Sequence, residues 1–393
     1  MSSVAQKNLR PPLFVDNLLV SAVVLLVGIS LVMIYSTTAI VSQEHFGDAF
    51  YYVKRQGAAA LVGLILMLLC SRLDIELLRR ISPVLLPIAL FLLVLIQIPG
   101  LGDAAGGAKR WVNLGFMRFQ PGEFCKLLFV IFMAGYLARQ ERTIHTFVDG
   151  IIKPIALVTL AAALFLAQPD FGSTVIVFSV VLCMMAVSGV RLIYLGAGAG
   201  LIVLALASLV VISPYRLKRI VSFLSPWSDP SGKGYQLIQS LIAIGTGQLF
   251  GVGLGESKQK LFYLPAAHTD FIFSMVAEEL GFIGGAALVL LFLVVLWRGL
   301  ALSKLVIEDT FAFSLAVGLT MLIVAPALLN IGVVTGLLPT KGMVLPLVGY
   351  GGSSLIASLV ALGLLLAIGR SVQRSGIVAR ASVPGALLDA RSR

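Results

Sequence analysis

Charged residues are scarce in this chain of 393 residues. They make up 12% of it, whereas a soluble protein carries roughly a quarter. No long hydrophilic segment is present, which excludes an assembly of several soluble domains. Cysteine is also rare, and the spacing of Cys70, Cys125 and Cys183 fits neither a disulfide framework nor a metal site. Because all three fall in or beside apolar runs, we expect them to pack as small apolar side chains.

Apolar residues, by contrast, are abundant. They form 59% of the chain, and the mean hydropathy is +1.03. A helix needs about 20 apolar residues to cross a membrane, and the sequence predicts an all-α, polytopic membrane protein with about ten transmembrane helices. A large outer loop is expected between spans 7 and 8. The predicted spans are residues 16–36, 56–70, 82–99, 122–139, 152–167, 172–188, 191–212, 270–297, 311–335 and 353–370.

Lysine and arginine indicate the orientation of these spans. With the N-terminus inside, the cytoplasmic segments hold sixteen of these residues and the short outer loops hold six. We therefore expect both termini in the cytoplasm. The predicted organisation is a cytoplasmic segment, 1–15, a ten-span domain, 16–370, with its outer loop at 213–269, and a cytoplasmic tail, 371–393. The tail is basic and is expected to touch anionic membrane lipid.

Residues 253–281 carry the most unusual polar sequence of the chain. A glycine-rich loop leads to His268, Thr269 and Asp270, which stand directly before an apolar run. An ionisable group at membrane depth is costly, so Asp270 is a candidate general base at the mouth of a helix. The alternative is that Thr269 or Asp270 only caps that helix. A cap alone does not explain Glu278, which is expected about 12 Å deeper on nearly the same helical face.

The outer loop at 106–126 combines cations with aromatic residues. Such pairs suit a phosphate-bearing lipid headgroup or the face of a sugar. The same composition is also typical of an interfacial belt without specific function, and Glu123 and Lys126 could simply pair with each other. The candidates in this loop are Lys109, Arg110, Trp111, Gln120, Glu123 and Lys126.

Two further segments contain candidate residues. Lys341 is the one cation of its loop and could face a pyrophosphate, while Ser353 or Ser354 could bind substrate or only cap the last span. Asp170 is predicted to cap the sixth span. Residues 226–236 lack the spacing of a P-loop, which argues against a nucleotide site there.

Together these motifs resemble the SEDS family (shape, elongation, division and sporulation) of bacterial cell-wall polymerases. The sequence is most similar to the cell-division member, and less similar to the elongation member. Ala266 departs from the family pattern, because many relatives carry an acid there. The resemblance covers essentially all ten spans and is carried by residues 108–123, 168–172, 234–236, 264–273, 339–342 and 349–354.

The resemblance implies septal polymerisation of lipid II into glycan strands at the outer face of the bacterial cytoplasmic membrane, with release of undecaprenyl pyrophosphate. Asp270 matches the essential aspartate of the family. The resemblance also implies a class B penicillin-binding transpeptidase and other division membrane proteins as partners, and a divalent cation, Mg²⁺ or Mn²⁺, as cofactor. We expect no organic cofactor and no nucleic acid. The substrate-binding candidates are Arg55, Lys109, Arg110, Trp111, Gln120, Glu123, Lys126, His268, Thr269, Lys341, Ser353 and Ser354.

Other classes of membrane protein stay open at this point. A lipid II flippase or a solute carrier would also have many spans. Carriers often contain internal repeats with broken helices in matching halves, and the sequence shows no such repeat. A scaffold that recruits the division machinery would not need the cluster from His268 to Asp270, and an elongation-type polymerase would share the motifs.

Overall fold

The computed structural model describes residues 16–98, 102–105, 108–113, 118–213, 217, 221–228, 230, 232, 234–260 and 264–381. The predicted segment 1–15 and residues 382–393 of the predicted tail lie outside the described residues. A π-helical turn, Val148–Ile152, precedes the fifth helix. The elements in chain order are α1 (Asn17–Phe46), α2 (Tyr51–Cys70), α3 (Ile75–Leu95), β1 (Gly102–Ala105), β2 (Ala108–Asn113), β3 (Arg118–Phe119), α4 (Pro121–Arg139), α5 (Lys153–Ala167), α6 (Phe171–Val187), α7 (Leu192–Ile212), α8 (Tyr235–Gly247), α9 (Ile272–Lys304), α10 (Thr310–Val334) and α11 (Gly352–Ala381).

The predicted all-α membrane fold is confirmed. Within the described part of the chain, nine helices are long and apolar enough to cross a membrane. The helix α6 is apolar but shorter, with 17 residues. Each of the ten predicted spans therefore corresponds to one helix, and the chain is a multi-pass membrane protein. The additional helix α8 lies within the predicted loop 213–269, and α4, α10 and α11 are the most enclosed spans.

Two ion pairs close the end of the bundle at which α1 begins. Arg298 Nη2 lies 2.7 Å from Asp16 Oδ2, and Arg79 Nη2 lies 2.5 Å from Asp309 Oδ2. Asp16 and Asp309 also accept hydrogen bonds from the first amides of α1 and α10, as N-caps do. The opposite end, called the loop face below, carries the described residues of the segments 47–50, 96–120, 168–170, 213–271 and 335–351.

Five spans, α2, α4, α6, α9 and α11, begin at the loop face. Each of them follows a span that ends there, so its first turn points its free amide groups towards the loops. A helix N-terminus carries the positive end of the macrodipole and favours a nearby anion. The chain thus places five such ends on the face that the charge pattern predicts to be external.

The helix α9 is interrupted where it leaves the membrane. Asp16 caps the start of α1, and the helix from Asp16 to Ser36 is about 30 Å long, which is the thickness of the hydrocarbon core. Ser36 therefore lies at the opposite border of the core. Its Oγ lies 2.5 and 2.7 Å from the carboxylate oxygens of Glu279, so Glu279 lies at the border of the core on the loop face. Gly281 then breaks the helix with φ 70° and ψ −168°. Residues 272–280 therefore form a separate helical segment, and residues 282–304 form the span.

The backbone groups freed by this break are paired by the preceding loop. Val252 N donates to Glu278 O at 3.0 Å, and Phe282 N donates to Gln248 O at 2.8 Å. A helix break at a membrane border is tolerated when neighbouring protein provides such partners. The loop 248–253 is in this way attached to the middle of α9.

The prediction that one continuous span opens at Asp270 is wrong, because Gly281 breaks the helix. The helix starts at Ile272, two residues after Asp270, and its first segment lies on the loop face. Glu278 accepts hydrogen bonds from Ser257 Oγ at 2.5 Å and from Lys258 N at 3.1 Å. Glu279 Oε1 lies 3.4 Å from Lys260 Nζ. Glu278 and Glu279 therefore both hold the polar loop that precedes Asp270.

A small antiparallel sheet, in the order β1, β2, β3, covers part of the loop face. Val112 pairs with Phe119, and Gly102 pairs with Val112 on the other edge of β2. The sequence analysis did not predict this sheet, because its strands are only two to six residues long and show no sustained alternation.

Candidate functional site

Asp270 lies at the end of a compact turn on the loop face. Its backbone amide donates to Ala266 O at 3.2 Å, and so does that of Thr269 at 3.1 Å. The N-cap of α9 is Phe271, without a side-chain hydrogen bond, so neither Thr269 nor Asp270 serves as the cap of this helix. The Thr269 hydroxyl donates to Ala266 O within the turn. Capping α9 is therefore not the role of the Asp270 carboxylate.

The Asp270 carboxylate lies against the segment that carries Lys341. A Cβ atom placed on Gly342 would lie 2.9 Å from Asp270 Oδ2, so the absence of a side chain at this position makes room for the carboxylate. Asn330 donates its Nδ2 to Asp270 O at 2.7 Å and to Met343 O at 2.6 Å. These contacts bring together two loops that are 70 residues apart in the chain.

Lys341 reaches from this segment to the start of α6. Its Nζ lies 5.0 Å from the centre of the Phe171 ring, and its Cε would be 3.2 Å from a Cβ on Gly172. The pKa of Lys341 is lowered to about 8, mainly by burial; Asp170 raises it, and the charges of Lys126 and Arg110 lower it. A lysine held among other cations is a good partner for an anion that neutralises them together.

Arg110 connects the sheet to the turn before α6. Its Nε donates to Gln168 O at 3.1 Å, and its guanidinium also donates to Pro169 O. Its Nη1 lies 3.8 Å from Asp170 Oδ1. Asp170 caps α6 as predicted, because Oδ1 accepts a hydrogen bond from Ser173 N at 3.1 Å. Arg110 is therefore anchored beside Lys341 by backbone carbonyls.

The start of α4 supplies the third cation of this group. Lys126 is buried, and its Nζ lies 2.8 Å from Glu123 Oε1, so the predicted pairing of these two residues is present. Gln120, the residue before α4, donates its backbone amide to Ser353 Oγ at 2.9 Å. Ser353 thus joins the starts of α4 and α11. Ser354 follows it in the first turn of α11 and is partly buried.

His268 belongs to an aromatic cluster on the other side of the turn. Its ring centroid lies 5.3 Å from that of Tyr52 and 5.8 Å from that of Tyr350, and His268 O accepts a hydrogen bond from Tyr350 N at 2.8 Å. Burial lowers the pKa of the imidazole, so it is neutral at pH 7. Arg55 lies over the ring of Tyr51 at 4.5 Å, and its charge counteracts the raised pKa that burial gives the Tyr350 hydroxyl.

A cavity of about 280 Å³ opens behind this cluster. Its walls come from the loop-face end of α1, from the start of α2 and from the turn before Asp270. The polar groups in the wall include those of Thr37, His45, Tyr52, Lys260 and His268. The turn that leads to Asp270 therefore forms part of the cavity wall, through Ala266, Ala267 and His268.

The structure divides the predicted site residues into two groups. One group surrounds Lys341 and Asp270, and the other surrounds His268. Lys109 and Trp111 lie in β2, with Trp111 partly exposed, and the Lys109 side chain lies outside the described residues. The first group contains Arg110, Glu123, Lys126, Asp270 and Lys341, joined through Gln120 to Ser353; the second contains Arg55, His268 and Thr269.

Two polar residues within spans were missed by the sequence analysis. Asn330 lies in α10 and Gln56 lies in α2, and both are buried. Gln56 Nε2 donates to Gly349 O at 3.2 Å, and Gln56 Oε1 accepts from Gly351 N at 3.3 Å. The sequence signal for both residues was an amide side chain in or beside an apolar run. A polar group there needs a hydrogen-bond partner within the protein.

The described residues contain no group of three His, Cys, Asp or Glu side chains that could hold a metal ion. Magnesium is often bound by only one or two carboxylates together with the phosphates of a substrate. Asp270 beside a cationic phosphate site fits that arrangement.

Comparison with known proteins points to one family. The family model FTSW_RODA_SPOVE, described as "Cell cycle protein", matches residues 16–374. "Stage V sporulation protein E" of Bacillus subtilis (strain 168) is 43% identical over 356 residues, which are 90% of this chain and 97% of the relative. "Probable peptidoglycan glycosyltransferase FtsW" of Thioalkalivibrio sulfidiphilus (strain HL-EbGR7) is 42% identical over 357 residues, which are 90% of this chain and 89% of the relative.

Solved structures show the same similarity. A chain described under "Structural coordination of polymerization and crosslinking by a peptidoglycan synthase complex" matches with a TM-score of 0.72 and 29% identity, covering 90% of this chain and 97% of that chain. The crystal structure of the rod shape determining protein RodA of Thermus thermophilus matches with a TM-score of 0.66 and 29% identity, covering 90% of this chain and 96% of that chain.

Proposed function

The chain belongs to the cell cycle protein family of FtsW, RodA and SpoVE, and from this premise we propose that it is a peptidoglycan glycosyltransferase that polymerises lipid II at the loop face. The observation that carries the assignment of the site is the contact of the Asp270 carboxylate with the Lys341–Met343 segment. This contact supports the proposal, because the carboxylate that would act as the base lies against the segment that carries Lys341. Glycosyl transfer from a lipid pyrophosphate requires both a base and cations.

The reaction joins two lipid-linked disaccharides. The 4-hydroxyl of GlcNAc on the acceptor attacks the anomeric carbon of MurNAc on the donor, and the bond from that carbon to the pyrophosphate oxygen breaks. The α-linkage of the donor becomes a β-linkage in the glycan. Asp270 accepts the proton of the attacking hydroxyl, a contribution that is typically worth 10²–10⁴-fold in rate.

The leaving group is undecaprenyl pyrophosphate, which gains negative charge as the bond breaks. Lys341, Arg110 and Lys126 lie together on the loop face and can stabilise that charge. The first turns of α4 and α6 add the positive ends of two helix dipoles at the same place. A divalent cation, Mg²⁺ or Mn²⁺, would be held by Asp270 with the pyrophosphate oxygens and would supply further charge neutralisation.

Partners and location follow from the same proposal. The loop face is the outer face of the bacterial cytoplasmic membrane, both termini are cytoplasmic, and the protein acts at the division septum. A class B penicillin-binding transpeptidase crosslinks the strands that this protein makes. Support comes from a structurally similar chain, which belongs to a complex described as coordinating polymerization and crosslinking. Other division membrane proteins and the substrate lipid II complete the set of partners.

The test is glycan synthesis from fluorescent lipid II by the purified protein, with and without a class B penicillin-binding protein. Asp270→Asn is expected to reduce polymer formation at least about 100-fold. The matched control is Asp48→Asn, which removes a loop-face carboxylate that pairs with Lys54 at 2.8 Å, away from Asp270. Normal polymerisation by Asp270→Asn would refute the base. Lipid II translocation in vesicles without any polymer would instead indicate a flippase.

A further inference from the structure

Asn330 is the side chain that connects the two halves of the proposed site. It lies in α10, is 1% exposed, and uses one nitrogen to bond two carbonyl groups of different loops. Nδ2 donates to Asp270 O at 2.7 Å and to Met343 O at 2.6 Å. Both acceptors are carbonyl oxygens, so the amide can present only its nitrogen to them.

A second observation concerns the oxygen of the same side-chain amide. Asn330 Oδ1 is buried and has no hydrogen-bond partner. A buried polar atom without a partner costs about 1–3 kcal/mol. Asn330 carries this cost while its nitrogen provides the hydrogen-bond donor for two carbonyl groups at the proposed site.

The two accepted carbonyls lie on either side of the candidate chemistry. One belongs to Asp270 itself. The other belongs to Met343, two residues after Lys341, and the residue between them, Gly342, contacts the Asp270 carboxylate. The position of Asn330 on an enclosed span thus sets the distance between the base and the cation that receives the leaving group.

We infer that Asn330 is a positioning residue for glycosyl transfer, which holds the Asp270 carboxylate at the Lys341–Met343 segment through hydrogen bonds to Asp270 O and Met343 O. This inference rests on the proposed function. It concerns geometry at the reaction centre, where a displacement of about 1 Å can cost about 100-fold in rate.

A second bond between the same two loops makes the inference testable without unfolding the protein. Tyr350 N donates to His268 O at 2.8 Å, and this bond does not involve Asn330. Replacing Asn330 therefore leaves the loops attached to each other and removes the local restraint next to Asp270. We expect the variants to insert and fold.

The experiment compares Asn330→Leu and Asn330→Asp with the wild-type chain in the lipid II polymerisation assay. Asn330→Leu keeps the branched arrangement of heavy atoms and removes both donated hydrogen bonds, and Asn330→Asp keeps the shape with at most one donor. The control Thr320→Val removes a buried hydroxyl of the same helix that donates to Ala316 O at 2.7 Å. Thermal unfolding in detergent is measured for every variant, and kcat is expressed per folded molecule.

We expect Asn330→Leu to lower kcat about 100-fold with KM for lipid II within threefold of wild type, Asn330→Asp to lie in between, and Thr320→Val to keep its rate. An unchanged kcat per folded molecule in both Asn330 variants would overturn the inference, and so would a rise in KM alone. If the wild-type chain makes no polymer, or if Asp270→Asn polymerises normally, the proposed function fails first. The two failures are thereby distinguishable.

Discussion

Lys341 differs from an ordinary surface lysine because it is charged only below a mildly alkaline pH. Burial beside Phe171, together with the neighbouring cations Lys126 and Arg110, lowers its pKa to about 8. A lysine carries its positive charge below its pKa and loses it above, so a lowered pKa moves the loss of charge from about pH 10.5 to about pH 8.

We predict that kcat/KM for lipid II polymerisation declines as the pH rises through about 8, because kcat/KM reports the free enzyme and Lys341 then becomes neutral. Lys341→Arg should extend activity to higher pH, since arginine stays protonated. Lys341→Met should lose about 100-fold at pH 7, the usual effect of removing one group that stabilises transition-state charge. The pH–rate profiles of the three proteins decide this, and an identical alkaline limb in wild type and Lys341→Arg would assign the decline to another group.

The helix α9 shows at the scale of an element how the site is separated from the membrane. Its first segment and the turn of Asp270 belong to the loop face, and only residues after Gly281 form the span. Two acids at the end of that segment hold the loop 255–260, through Glu278 with Ser257 and through Glu279 with Lys260. The break therefore lets one chain segment serve both as a membrane helix and as a support for the site.

Gly281→Ala should destabilise the protein and weaken polymerisation. The residue has φ +70°, and a Cβ atom there would meet Gly251 N and would lie 2.5 Å from Leu249 O, both of them backbone atoms that cannot move easily. The strained backbone alone costs roughly 1–3 kcal/mol. Thermal unfolding in detergent measures the effect.

The control for this substitution is Gly28→Ala in α1. No atom lies within 4 Å of the position that its Cβ would take, and the residue is within a regular helix. Alanine is favoured over glycine there by roughly 0.5–1 kcal/mol, so the control should be as stable as wild type or more stable. Equal stability of Gly281→Ala and wild type would mean that the break does not need the left-handed backbone.

At the scale of the whole molecule, the alternation of helix directions collects the chemistry on one face. The acids Asp16 and Asp309 cap helices at the other end and pair with Arg298 and Arg79. The loop face instead receives the starts of five spans, the cations around Lys341 and the turn of Asp270. A substrate whose pyrophosphate lies at a membrane border can reach this face without crossing the bundle.

The orientation predicts which loops a membrane-impermeant thiol reagent can reach. In a chain whose native cysteines are replaced, Asp48→Cys between α1 and α2 should be labelled in intact spheroplasts. Glu141→Cys, in the exposed loop after α4, should be labelled only after the membrane is opened. The reverse pattern would place the loop face in the cytoplasm and would exclude lipid II polymerisation at the outer surface.

The sequence by itself determined the membrane class, the ten spans, and the motifs that contain Asp270 and Lys341, because hydrocarbon length and the cost of buried charge act on every residue locally. It also predicted the cap at Asp170 and the pair of Glu123 with Lys126, which depend on neighbours within one helical turn. Only the tertiary structure decided that α9 is broken at Gly281, that Glu278 accepts hydrogen bonds from Ser257 and Lys258, and that Asn330 joins Asp270 to Met343. These features depend on contacts between segments far apart in the chain, and no local pattern of residues encodes which carbonyl a buried amide will find.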